Sequence, residues 1–157
     1  MSATPDDRSL RGSQQDGETG DLVDTYVGAL AANDPGTALA TLSADAVFQS
    51  PFRTWRGRHL PSVFHARRGA FDNVLVDSVV RGHDQAVILW TATVGGTPVE
   101  AAELVSVSDG AIRRVDVYLR PASALDVVHQ AMAAAWPHHS ASPDRARNPA
   151  LEQEAPS

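Results

Sequence analysis

The stretch ELVSVSDGAIRRVDVYLRP, residues 103–121, reads as two alternating runs joined by Ser108-Asp109-Gly110. Alternation at period 2 predicts strands, and a link this short containing glycine predicts an antiparallel hairpin. Working outward toward the N-terminus, Asp72 to Val80, Gln85 to Val94 and Pro98 to Val107 have the same texture, with Ile112 to Leu119 as the last run. Gly82-His83-Asp84 and Gly95-Gly96 are links of hairpin length, so consecutive strands form an antiparallel meander.

Upstream of Phe71 the period changes. Leu22, Val23, Tyr26, Val27 and Leu30 fall at helical spacing behind a capping Asp21. Asp34-Pro35 offers an N-cap with proline at the first helical position, for a second, short helix running to about Leu42. Ala46 to Ser50 is a strand candidate stopped by Pro51; after a turn at Trp55-Arg56-Gly57, a third helix starts near Leu60-Pro61 and ends at Gly69. Pro121 begins an alanine-rich helix reaching Trp136. Residues 1–20 and 137–157 show no sustained apolar period and are expected to be disordered tails around one domain at 21–136. Helices followed by a meander predict an α+β domain, in which a curved, mostly antiparallel sheet wraps helices on one face and encloses a pocket.

Strand parity locates the chemistry. Glu103 shares a face with Ala101, Val105 and Val107, so its carboxyl is expected to point into the apolar interior, where desolvation favours the protonated, proton-donating form. Two alternatives stand beside this: a slipped register puts Glu103 in water beside Glu100, and a buried acid is often the structural partner of an arginine. The same parity makes Ile88, Trp90 and Ala92, with Val115, Val117 and Leu119, the lining that faces Glu103, while Phe52 and Phe64 close the mouth or wall. It turns Asp116 to the opposite face with Arg114, Tyr118 and Arg120, a polar-aromatic stripe suited to a homodimer contact.

Composition narrows the classes. The 157 residues are 43% hydrophobic and 20% charged, enough for one sizeable core. There is no cysteine, which excludes disulfides, thiol catalysis and cysteine-bound zinc. Net charge is −6 and all 13 basic residues are arginines, matching coding from a GC-rich bacterial genome and arguing against a nucleic-acid surface. Arg53, Arg56, Arg58, Arg67 and Arg68 cluster and are read as a solvated rim. No run reaches membrane-spanning length and the start lacks a signal-peptide pattern, so a cytoplasmic protein without membrane contact is expected. His138-His139 lacks acids at ligand spacing, and no phosphate loop or GxSxG elbow occurs; no metal and no cofactor are expected.

The helical pair ending in SADAVFQSPF, the turn and helix RGRHLPSVFH, and the final hairpin together resemble the nuclear transport factor 2-like superfamily. Its cone-shaped members include SnoaL-like polyketide cyclases, limonene epoxide hydrolases and ketosteroid isomerases. The resemblance implies an oxyanion-binding role for Tyr26 beside Glu103, an orienting or base role for His65, and a polar contact at the mouth for Ser50. That isomerase is the familiar case of a carboxylic acid kept neutral by its apolar site. Ser50 falls where the isomerases have their carboxylate base, and Val117 where the epoxide hydrolases have an aspartate, so neither reaction transfers intact. The resulting expectation is cofactor-independent acid-base cyclisation or isomerisation of a hydrophobic, carbonyl-bearing metabolite, with Glu103, Tyr26 and His65 catalytic. The alternative is a non-catalytic module of the same fold that binds a small molecule or a protein; a purely structural dimer module is a third.

Overall fold

The computed structural model describes residues 7–137. Helix α1 (Asp7–Ala31) leads into the short helix α2 (Pro35–Thr41), whose cap is the one the sequence predicts: the Asp34 carboxylate accepts from the Thr37 amide at 3.2 Å and from its hydroxyl at 2.6 Å. Strand β1 (Leu42–Gln49) turns at Pro51 into β2 (Thr54–Arg56), and a single 3-10 turn at Gly57–His59 leads into α3 (Leu60–Ala70). The meander follows as β3 (Asp72–Arg81), β4 (Gln85–Val94), β5 (Thr97–Ser108) and β6 (Ala111–Arg120). A second 3-10 turn at Ala122–Ala124 then opens α4 (Leu125–Ala135).

Two links are tight hairpins for a conformational reason. Gly95 and Gly96 have φ of +56° and +81°, and Asp109 and Gly110 have +51° and +70°. Both pairs satisfy the positive-φ requirement of the turn that matches strand twist. The six strands form one sheet in the order β2-β1-β6-β5-β4-β3. Every pairing is antiparallel except β1 with β6, which is parallel. The sheet curves around the helices as an α+β cone, and its inner face carries Ile88, Trp90, Val105 and Val115, each no more than 2% exposed.

Two expectations are corrected. Residues 7–20, read as part of a tail, are helical and extend α1 upstream of Asp21; the remainder of the expected tails, 1–6 and 138–157 with His138-His139, lies outside the described residues. Arg81 holds this helix to the sheet through Asp24 and the Gly20 carbonyl, and His83 contacts Asp16. Trp55-Arg56, read as a turn, forms the edge strand β2, with Trp55 paired to Phe48. Among the described residues no helix is long and apolar enough to cross a membrane.

Candidate functional site

Helix α3 turns a stripe at Leu60, Val63, Phe64 and Arg67 toward the sheet. This is helical spacing, and it carries Arg67 into the interior, 8% exposed, rather than onto the expected solvated rim. Opposite it Glu103 projects inward from β5, 0% exposed, with Ile88 and Val117 as its cross-strand neighbours. The Arg67 guanidinium donates to Glu103 Oε1, Trp90 Nε1 donates to the same oxygen at 3.1 Å, and the Tyr26 hydroxyl donates to Oε2 at 2.6 Å. Arg67 also donates to the Tyr26 oxygen at 3.4 Å and lies over Phe48, Phe64 and Trp90, 5.4 to 5.7 Å from the ring centres.

This closed network differs from the lone acid expected at Glu103. The carboxylate is satisfied on both oxygens and has a guanidinium as counter-charge, the arrangement that makes a buried ion tolerable. The Tyr26 proton is directed at Glu103, not at open space. Burial first, and then the Glu103 carboxylate, push the Tyr26 phenol well above its ordinary range, so it is neutral throughout the physiological range. Burial disfavours the Arg67 cation, but Glu103 and the Tyr26 oxygen outweigh that and hold it charged.

Next to the network is a cavity of about 820 Å³. Arg67, Trp90, Val63 and Phe71 line it, with Val117 and Leu119 of β6. Ser50, Phe52, Arg53 and Trp55 come from the β1–β2 segment, His59 from the turn before α3, and Val128, His129, Met132 and Trp136 from the C-terminal helix and the residue after it. Two aromatic stacks tie these edges together: Trp55 on Trp136 at 4.7 Å and Phe52 on His129 at 4.9 Å.

Of the expected residues, Ser50, Phe52, Trp90, Val117 and Leu119 line this cavity. Glu103 and Tyr26 are sealed behind Arg67 and Trp90, while Phe64, Ile88 and Val115 are packed in the core. His65 is not brought to Tyr26: it is exposed on the outer side of α3, with Nδ1 2.8 Å from the Pro61 carbonyl oxygen. Ser50 Oγ is used in its own turn, accepting from the amides of Phe52 and Arg53 at 3.2 and 3.1 Å. Sequence reasoning missed Arg67, His59, His129 and the whole α4 wall. The signal for Arg67 was present, because it stands seven residues after Leu60 on an otherwise apolar stripe.

No family model matches the chain, and no curated protein does. Solved structures do. A steroid delta-isomerase from Pseudomonas aeruginosa superposes with a TM-score of 0.68 at 20% identity, over 74% of this chain and 90% of that one. A nuclear transport factor 2-like protein of unknown function from Cytophaga hutchinsonii gives 0.58 at 19% identity, over 68% and 94%. The fold is that of the nuclear transport factor 2-like superfamily. A de novo designed protein with a curved β-sheet also matches, with a TM-score of 0.62 at 19% identity over 74% of this chain and 96% of that one. The nuclear transport factor 2-like cone therefore supplies a scaffold, and the residues inside it have to supply the function.

Proposed function

We propose that the cavity binds a ring-bearing hydrophobic small molecule with a carbonyl or enolate oxygen, and that the protein catalyses its acid-base isomerisation or cyclisation without a cofactor. The observation that carries this reading is Arg67. It is the charged member of the buried network that lines the cavity, whereas Glu103 and Tyr26 stand behind it. Among the described residues its hydrogen bonds go to Glu103 and Tyr26, which uses two of the five N–H donors of a guanidinium. The others suit a ligand oxygen on which charge develops, in a site where apolar walls strengthen the interaction. Glu103 and Tyr26 then act as positioning residues for Arg67. Proton transfer falls to His129 or His59, the histidines that line the cavity among the described residues.

A binding-only module is the second reading, favoured by the separation of Glu103, Tyr26 and His65 from the cavity. Deuterium incorporation next to the carbonyl of a bound polycyclic ketone in D2O, followed by NMR, separates the two. Enzyme-dependent exchange that is lost in His59→Phe/His129→Phe supports catalysis; tight binding without exchange leaves the binding module. Absence of any binding across a panel of polycyclic ketones and phenols rejects both.

We also propose a cytoplasmic homodimer, with no nucleic-acid or membrane partner, formed through the outer face of the sheet. There Tyr118 and Leu89 are 62% and 39% exposed, and Arg114 pairs with Asp116. Sedimentation at micromolar concentration tests it: a monomer rejects the dimer, and Tyr118→Arg is expected to dissociate it.

A further inference from the structure

The charge of the cavity runs against the charge of the chain. The protein carries a net −6, yet among the described residues its cavity is lined by two arginines and two histidines and by no aspartate or glutamate. The four are not equivalent. Arg67 is compensated by Glu103, whereas Arg53, His59 and His129 have no carboxylate partner among the described residues. These three are exposed while Val63, Phe71 and Trp90 are buried, which places the three at the mouth and the apolar surface in the depth.

Aromatic platforms hold them there. The Arg53 guanidinium lies 5.1 Å over Trp55, His59 is 6.1 Å from the same indole, and Trp55 is itself stacked on Trp136. His129 is stacked on Phe52. A cation pinned on an indole face is pre-organised, so it loses less freedom when it receives an anion. Arg56 and Arg58 on the adjoining segment extend the same sign, and Asp126, one turn before His129 on α4, is the acid nearest to it in sequence. A mouth of one sign above an apolar interior concentrates ligands of the opposite sign.

We infer that the ligand is an amphipathic organic anion. Its rings occupy the apolar depth, a carbonyl or phenol oxygen meets Arg67, and its carboxylate stays at the mouth on Arg53, beside His59 and His129. This rests on the reading of the cavity as the ligand site and adds the charge class of the ligand. It also makes Arg53 a specificity residue, selecting acids over neutral ring systems of equal size.

The test is a fluorescence titration of the full chain with 1-pyrenebutyrate and with 1-pyrenebutanol, which share the ring system and differ in charge. The acid is expected to bind about tenfold more tightly at low salt, the difference shrinking to about twofold at molar salt as the exposed charges are screened. Arg53→Gln, an exposed change whose folding is checked by circular dichroism, is expected to weaken the acid about fivefold and leave the alcohol unchanged. Equal binding of acid and alcohol, or no effect of Arg53→Gln on the acid, overturns the anion inference while leaving a hydrophobic ligand site. Binding of neither probe overturns it together with the ligand-site reading.

Discussion

Arg67 and Glu103 meet in the interior from opposite layers, one from α3 and the other from β5, 36 residues apart in sequence. The pair joins the helical layer to the sheet beside the large cavity. Its two halves have different surroundings: Glu103 is shut away from solvent, and Arg67 has an edge toward the cavity. The ion pair is therefore both a structural bolt and the back wall of the site.

Arg67→Met is expected to destabilise the protein by about 3–5 kcal/mol, because it leaves an unpaired buried carboxylate. Arg67→Met combined with Glu103→Gln removes both charges and should recover most of that loss. Urea denaturation of both variants checks it, and a single variant within about 1 kcal/mol of wild type contradicts the buried pair.

Tyr26→Phe removes the donor to Glu103 Oε2 and nothing that lines the large cavity. It should cost about 1–3 kcal/mol of stability and weaken ligand binding only through the looser placement of Arg67, by less than Arg67→Met does. If instead turnover on an established substrate falls by orders of magnitude while stability holds, Tyr26 belongs to the reacting groups and the positioning role is wrong.

Alkaline titration follows from the raised Tyr26 phenol. Its folded pKa lies above that of the unfolded chain, so its contribution to stability is complete below the ordinary phenol range of about 10 and is lost as pH rises toward the folded value. The chain has two tyrosines. In a Tyr118→Phe background, which leaves Tyr26 as the sole tyrosine, tyrosinate absorbance at 295 nm should therefore appear together with loss of the circular dichroism signal of the fold; ionisation before unfolding would contradict burial of Tyr26.

At Gly69 helix α3 passes close to α4. A Cβ built there would stand 2.8 Å from the Ala135 Cβ, so Gly69→Ala must push the C-terminal helix outward at a cost of about 1–3 kcal/mol. Since α4 supplies one wall of the cavity, ligand affinity should change with it. Ala135→Gly added to Gly69→Ala removes the clash and exchanges one helical glycine for another, so it should restore both affinity and stability.

The meander was legible because its strands alternate and its turns carry Gly95-Gly96 and Asp109-Gly110. β4 spans the expected Gln85–Val94, β3 runs one residue beyond its expected C-terminal end, and β5 and β6 run one residue beyond each expected end. The inward aim of Glu103 followed from the same parity. The first half of α1 was not legible: residues 14–18 are exposed, so there is no apolar period to read. β2 is three residues long and gains its place by pairing with β1, a non-local term invisible in its own residues. For the site, the limit was that period reveals which way a side chain points and not what it meets. Arg67 and Glu103 each lay on an inward face, but their meeting required the packing of α3 on the sheet. His65, one helical step from Phe64, turned out on the other side of α3.

The parallel pairing of β1 with β6 sets a timetable for assembly. Phe48 lies beside Val115 and Gln49 beside Asp116, so β1 finds its inner neighbour only after roughly 65 further residues have been made, a closure of high entropic cost for a chain this short. On a ribosome β1 must wait, with only the short β2 beside it, until the last hairpin emerges. Folding is then expected to be a late, concerted event triggered by the arrival of β6, and nascent chains halted before residue 111 should be open to proteases along β1.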